Sequence, residues 1–287
     1  MERDLGIRHK KEEQSEKEES RRVKLALKKT EYITPEITGK ELYDTLQRLK
    51  ERILKDWGSH LKIESGPKGS LFILSDAGPI LDWEIKGKTD FDKFIKRYEI
   101  IGTDERGNEI AKYTMATRGN EKASKDVTTI VPEYKDNLGQ KWLIFQEEAR
   151  PIDILRNGKQ SRILAFPAGI IADEIEDESA IESANRELTE ETGLKAEKLT
   201  KLYNYGEIRT SPGLTDEATN YFKAEIKSLK LVNNALTDGG VTRGWHFVPI
   251  KKLAVWFDSM GKINKKPSGQ TLSAIALMAI NKGKQML

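Results

Sequence analysis

The sequence predicts an α/β fold. Runs rich in β-branched and aromatic residues, such as DVTTIVPEY and QKWLIFQEEARP, read as strands. Between and around them lie a few segments whose apolar residues recur at helical spacing. The length, 287 residues, allows one or two domains and a core of useful size.

The N-terminal residues 1–30 form a charged tail, disordered or a lone helix, with an acidic EEQSEKEES and a basic RRVKLALKK whose apolar face is short. The tail is too charged for a signal peptide and too acidic for a transit peptide. Residues 31–96 read as a helix-and-strand extension. TGKELYDTLQRLKERILKDWG spaces Leu42, Leu46, Leu49, Ile53 and Trp57 as a helix does, and SLFILSD and ILDWEI read as strands joined by an Ala77-Gly78-Pro79 turn. The segment is a small α+β module or a layer pressed on the C-terminal domain, with a structural or dimer-forming use.

Residues 97–287 form the main domain. RYEIIGTDERGNEIAKYTMATR reads as a hairpin around Arg106-Gly107, and a polar turn, Lys135 to Gly139, separates DVTTIVPEY from QKWLIFQEEARP. KLYNYGEI, ATNYFKAEI and GWHFVPIKKL are further strands, and SGQTLSAIALMAINK is a closing helix whose small residues and Met278 fill core. Trp142 and Trp245 are expected in the core. His60 and His246 lack the spacing of a metal pair, and His246 is expected on an exposed strand face.

Composition narrows the function. The charged fraction is 33% but the net charge only +3, which argues against strong nucleic-acid binding. No cysteine is present, so there is neither a disulfide framework nor a thiolate metal site, as suits a cytoplasmic protein. No apolar run approaches a membrane span.

The chemistry concentrates in NRELTEETGL, Asn185 to Leu194, which places Glu187, Glu190 and Glu191 within five residues. Ser179-Ala180-Ile181-Glu182 is a capping box that starts a helix, and Gly193 ends it. Ile181, Ala184 and Leu188 share the core-facing stripe, and Glu187 and Glu191 lie one turn apart beside it. Most acidic helix faces are merely solvated, and mutual repulsion costs a few tenths of a kcal/mol per pair. Clustered carboxylates are also the ligands that hard divalent cations prefer.

ESAIESANRELTEETGL, Glu178 to Leu194, resembles the Nudix box G-x5-E-x7-R-E-U-x-E-E-x-G-U at every defined position from the first glutamate onward. One departure is visible: eight residues, not five, separate Gly169 from Glu178, a loop lengthened by three. FPAGII, TSPGLTDE and QEEARPI are similar, in order and spacing, to segments of the ADP-ribose pyrophosphatase branch.

The resemblance implies an α/β/α sandwich with a mixed sheet and a Mg²⁺-dependent hydrolase, with Mn²⁺ as a substitute. The substrate would be ADP-ribose or a related nucleoside diphosphate sugar, cut to a nucleoside monophosphate and a sugar phosphate. Metal ligands would be Glu187, Glu190, Glu191 and the carbonyl of Ala168. Arg186 would position the glutamates, with Glu178 mainly structural. Arg150, Tyr113, Ser211, Gly213 and Glu217 would contact substrate, and Tyr113 on the hairpin would stack on the base. Related enzymes draw the general base from a glutamate in a loop before the last strand. The matching LTDGGVTRG has only Asp238, so Asp238 is the first choice, with Glu217 or a box glutamate behind it. A homodimer is implied. Two alternatives stand: a hydrolase of nucleoside triphosphates or dinucleotides, and a Nudix-fold nucleotide sensor without catalysis.

Overall fold

The computed structural model describes residues 39–59, 61–74, 95–103, 105–118, 126–150, 161–172, 175–204, 206–232 and 242–284. Met1–Leu42 and Tyr43–Leu287 are separate units, and the strands among the described residues lie in the second. The tail, the expected strand at 80–85 with its turn, and His60 lie outside the described residues.

The strands form one mixed sheet and one separate hairpin. In chain order they are β1 (Ile63–Ser65), β2 (Leu71–Leu74), β3 (Ile95–Thr103), β4 (Glu109–Arg118), β5 (Val127–Lys135), β6 (Lys141–Arg150), β7 (Ser161–Ala165) and β8 (Ala168–Ile170). Then come β9 (Lys198–Lys201), β10 (Ile208–Arg209), β11 (Ala218–Ile226), β12 (Thr242–Pro249) and β13 (Lys265–Pro267). The main path runs β1-β2-β12-β6-β5-β11-β10, with β7 on β6, β13 on β7, β8 on β5 and β9 on β11. β5 pairs β11 and β7 pairs β13 in parallel, and the other pairs are antiparallel. β3 and β4 make the hairpin, Arg106-Gly107 at its tip, as a sheet of two strands.

Among the described residues the helices are α1 (Gly39–Trp57), α2 (Ala180–Thr192), α3 (Leu253–Lys262) and α4 (Gly269–Lys284). Alternation along the strands sorts side chains between two cores. One gathers Leu49, Ile53 and Trp57 of α1 and Ala184 and Leu188 of α2 against Ile130, Ile144, Trp245 and Phe247. The other sets Trp256 and Met260 of α3 and Ala274 of α4 against Val131, Leu143, Phe145 and Val248. Trp57 meets Trp245 edge-on at 5.5 Å and donates its indole N–H to the carbonyl of Leu229 at 2.7 Å, satisfying the polar atom of a buried ring. Met278 packs at the margin of the second core, and Trp142 and Trp245 are buried.

The position of β6 decides where the site lies. It pairs β5 only through Lys141–Leu143, then leaves it and takes β7 as its neighbour. β8 takes the vacated edge of β5 at Val127–Thr129. The sheet is thus parted between β5 and β6.

His246 is not exposed. β12 lies between β2 and β6 and is covered on both faces, so a residue that alternates with Trp245 and Phe247 has no solvent side. Its ring stacks on Phe72 at 4.3 Å, and its Nε2–H donates to the buried Glu147 at 2.9 Å. Lys265 at 2.6 Å and Arg243 at 3.0 Å donate to the same carboxylate. Burial alone would raise the Glu147 pKa; the bonds from His246 and Lys265 overcome it and hold it at about 2. Burial pushes the His246 pKa down, so the ring is neutral.

Candidate active site

Helix α2 is specified by its own ends. The Ser179 side chain accepts from the Glu182 amide, and the Glu182 carboxylate accepts from the Ser179 amide at 2.9 Å, closing the capping box. Gly193 takes φ 68° and donates to the Thr189 carbonyl, which ends the helix. The core stripe is one position off the expected phase. Ile181 is 50% exposed, and Ala180 packs instead, in line with Ala184 and Leu188. Residues 180, 184 and 188 repeat at the i, i+4 spacing of a single row, whereas 181 lies 100° around the helix.

Arg186 organises the acidic face. Its Nε and Nη2 grip both oxygens of Glu178, at 2.9 and 3.0 Å. Its Nη1 lies 2.8 Å from Glu187 and 3.0 Å from Glu190, and Nη2 also donates to the Ile170 carbonyl at 3.2 Å. The bonds to Glu178 raise the guanidinium's pKa further. Glu178 is buried and also accepts from the Ala172 amide at 3.2 Å. The two ends of the lengthened loop are therefore tied through one carboxylate, which keeps the added residues from displacing α2.

Glu191 sits deeper, its carboxylate accepting from the Ala168 amide at 3.2 Å. Burial, then the charges of Glu148 and Glu187, push its pKa well up. Gly169 is required by the approach of Glu187: a Cβ there would stand 1.8 Å from Glu187 Oε1. The P-A-G turn and the box helix are thus in direct contact.

The parted sheet leaves a cleft of about 570 Å³ over this face. Arg186, Glu187 and Glu190 of α2, Ala168–Ile170 of β8, and Glu148 and Arg150 of β6 line it. Arg150 is half exposed, and its Nε meets Glu148 at 2.6 Å. Glu217 also lines the cleft, as do Ser268 and Gln270 at the start of α4. Ser211 and Gly213 are exposed in the turn ahead of Glu217 and are not among the lining residues. Tyr113 is described by its backbone only, paired with Ile100 on the hairpin, and Asp238 lies outside the described residues.

Sequence reading does not single out Glu148, which lines the cleft. It stands two positions before Arg150, on the same strand face, and that parity is the available signal.

The donors gathered at α2 and β8 are carboxylate and carbonyl oxygens, the set that suits a hard divalent cation. Burial and the neighbouring carboxylates disfavour the charged form of Glu191, and a bound cation would favour it. Among the described residues no three His, Asp or Glu side chains already converge on one point. Arg186 spans Glu187 and Glu190 instead.

Residues 136–268 match the family model described as NUDIX domain, a span holding nearly all of the cleft's walls and the whole of α2. Over these residues the chain carries a Nudix domain. A solved structure described as "Crystal structure of ADP compounds hydrolase" is similar at 20% identity, over 69% of this chain and 92% of that chain, with a TM-score of 0.45. No curated protein matches the sequence. Among the described residues no helix is long and apolar enough to cross a membrane.

Proposed function

We propose that this cleft hydrolyses a nucleoside diphosphate sugar, with ADP-ribose the first substrate to test, to a nucleoside monophosphate and a sugar phosphate. The observation that carries the reading is one open cleft lined both by carboxylates, Glu187 and Glu190 with Glu191 buried beside them, and by Arg150. A diphosphate is the substrate that needs both.

Glu187, Glu190, Glu191 and the Ala168 carbonyl would hold Mg²⁺, or Mn²⁺ in its place. Such a cation, when bound, neutralises phosphate oxygens and makes water a better nucleophile. Arg186 holds Glu187 and Glu190 in place through the cycle, its charge balanced by Glu178. Arg150 grips a phosphate with its planar fork, for which a lysine is a poor replacement. The oxygen of water bonds to phosphorus, the bridging P–O bond breaks, and the sugar phosphate or nucleotide leaves with the bridging oxygen. Glu217 takes the proton from the water; Asp238 is the other carboxylate suited to that task. The working unit is a homodimer in the cytoplasm.

The test is monophosphate release, read with a coupled phosphatase, across nucleoside diphosphate sugars, nucleoside triphosphates and dinucleotides in Mg²⁺. Turnover is expected on the diphosphate sugars. Preferential turnover of triphosphates or dinucleotides would replace this substrate class, and no turnover on any of them would leave a nucleotide sensor.

A further inference from the structure

We infer that Thr117 and Asp216 are positioning residues that set where the Glu217 carboxylate stands in the cleft. The inference rests on the role proposed for Glu217 and extends it to a part of the chain outside the matched domain.

Glu217 follows a turn that is held at several points. The amides of Leu214 and Thr215 both donate to the Ser211 carbonyl at 2.9 Å, closing the turn on itself. The end of hairpin strand β4 then clamps it. The Ala116 amide donates to the Leu214 carbonyl at 2.8 Å, and Ala116 forms a parallel bridge to Thr215. Next to that bridge the buried Thr117 donates its hydroxyl to Asp216 Oδ2 at 2.9 Å, across 99 positions of sequence. A hydroxyl on a carboxylate is a charge-assisted bond, stronger than a neutral one. Arg209 adds a bond to the Asp216 carbonyl at 3.0 Å. On the other side the Ala218 amide donates to Asp126 at 3.3 Å, where β11 begins.

Glu217 therefore sits between two anchored neighbours, and its side chain is the one that lines the cleft. One anchor, Ala218 with Asp126, belongs to the main sheet. The other belongs to the hairpin, which is a separate two-stranded sheet. The same strand, β4, carries Tyr113, so the hairpin and the proton-accepting carboxylate share one mechanical frame. A base displaced by about 1 Å loses its alignment with the attacking water, at a cost of up to roughly a hundredfold in rate.

The experiment measures kcat, KM and the pH–rate profile on ADP-ribose with Mg²⁺ for the full chain and for T117V, T117S, E217Q and T117V/E217Q. T117V should lower kcat by about ten- to a hundredfold with KM nearly unchanged, because help is lost in the transition state. T117S keeps the hydroxyl and should restore kcat to within about twofold of wild type. T117V/E217Q should be no slower than E217Q alone, since Thr117 acts through Glu217. If T117V does not fold by circular dichroism, D216A removes the acceptor instead and carries the same expectation. Independent losses in the double variant, a T117S as slow as T117V, or a rise in KM at constant kcat each overturn the inference alone. A wild-type chain inactive on every diphosphate sugar overturns it together with the proposed function.

Discussion

Two adjacent glutamates on β6 face opposite sides of the sheet and meet opposite electrostatics. Glu147 is fully buried among donors: His246, Lys265 and Arg243 all reach its carboxylate, and its pKa falls to about 2. Glu148, one residue on, faces the cleft and contributes to the crowding that drives the Glu191 pKa up. The Glu147 carboxylate finds its donors within the chain itself, and Phe72 stacks on the histidine. Arg186 is engaged by Glu178 on one side, so Glu187, Glu190 and Glu191 carry more negative charge than its guanidinium balances. A buried carboxylate whose donors all come from the chain supports the fold; a crowd of carboxylates lining an open cleft suits a cationic ligand.

The sharpest way to break this contrast is to neutralise each side in turn. Glu187→Gln keeps shape but removes a charge from the proposed metal set. Turnover of the best substrate should fall about a thousandfold, since metal catalysis supplies several kcal/mol. Circular dichroism and the melting temperature should barely change. Glu147→Gln should do the reverse. Breaking a buried ion pair costs about 3–5 kcal/mol where the remaining charge stays buried. Arg243 and Lys265 are 36% and 18% exposed, so water recovers part of this and ~3 kcal/mol is expected by urea titration. The folded Glu147→Gln protein should keep near-normal kcat. A Glu187→Gln enzyme with wild-type turnover would remove the metal reading of the cleft.

How much of this contrast is visible in the sequence depends on the range of the interactions. The caps of α2, Ser179 with Glu182 and Gly193, are local, and so is the one-turn spacing of Glu187 and Glu191; both are legible. The phase of the helix is less so, because Ala180 and Ile181 both fit a short apolar stripe and only the packed sheet chooses between them. Glu147 and Glu148 read alike as strand carboxylates. Their separate fates depend on Lys265 and Arg243, about a hundred positions away, and on the parting of β6 from β5. The burial of His246 is hidden for the same reason: it requires β2 to cover β12, a pairing that no periodicity in either strand encodes.

A smaller effect should come from Gly169→Ala. The added methyl meets the Glu187 carboxylate, which must move by an ångström or more. Because the atom that gives way is the end of a flexible side chain, the fold should lose little. Misplacing the carboxylate should still lower kcat by roughly ten- to a hundredfold, as displacement of a catalytic group does. Equilibrium Mn²⁺ binding, followed by electron paramagnetic resonance, should weaken in parallel. Unchanged kcat and Mn²⁺ affinity would show that the contact between β8 and α2 does not set the glutamate's position.

The smallest expected effect is on stability against pH, and it separates the two clusters by sign. Glu147 has a folded pKa of about 2 against an ordinary 4.5. Its contribution is complete above 4.5 and is lost as pH falls towards 2. The lowered pKa of His246 adds a loss that begins as pH falls below its ordinary 6.5, where the unfolded chain takes up the proton first. Glu191 acts in the opposite direction. Its folded pKa is raised, so in metal-free protein it opposes folding above that pKa, and the opposition is relieved as pH falls from the folded pKa to 4.5. These arms overlap in wild type, so the difference between wild type and Glu191→Gln isolates the last one. Measured by urea titration in chelator, the stability of wild type relative to Glu191→Gln should rise as pH is lowered from neutral to 4.5. Saturating Mg²⁺ should flatten that difference, because a bound cation replaces the proton as the partner of the Glu191 carboxylate. A difference that stays flat in chelator would mean that Glu191 is already compensated by the chain, and the cleft cluster would then resemble the Glu147 cluster rather than oppose it.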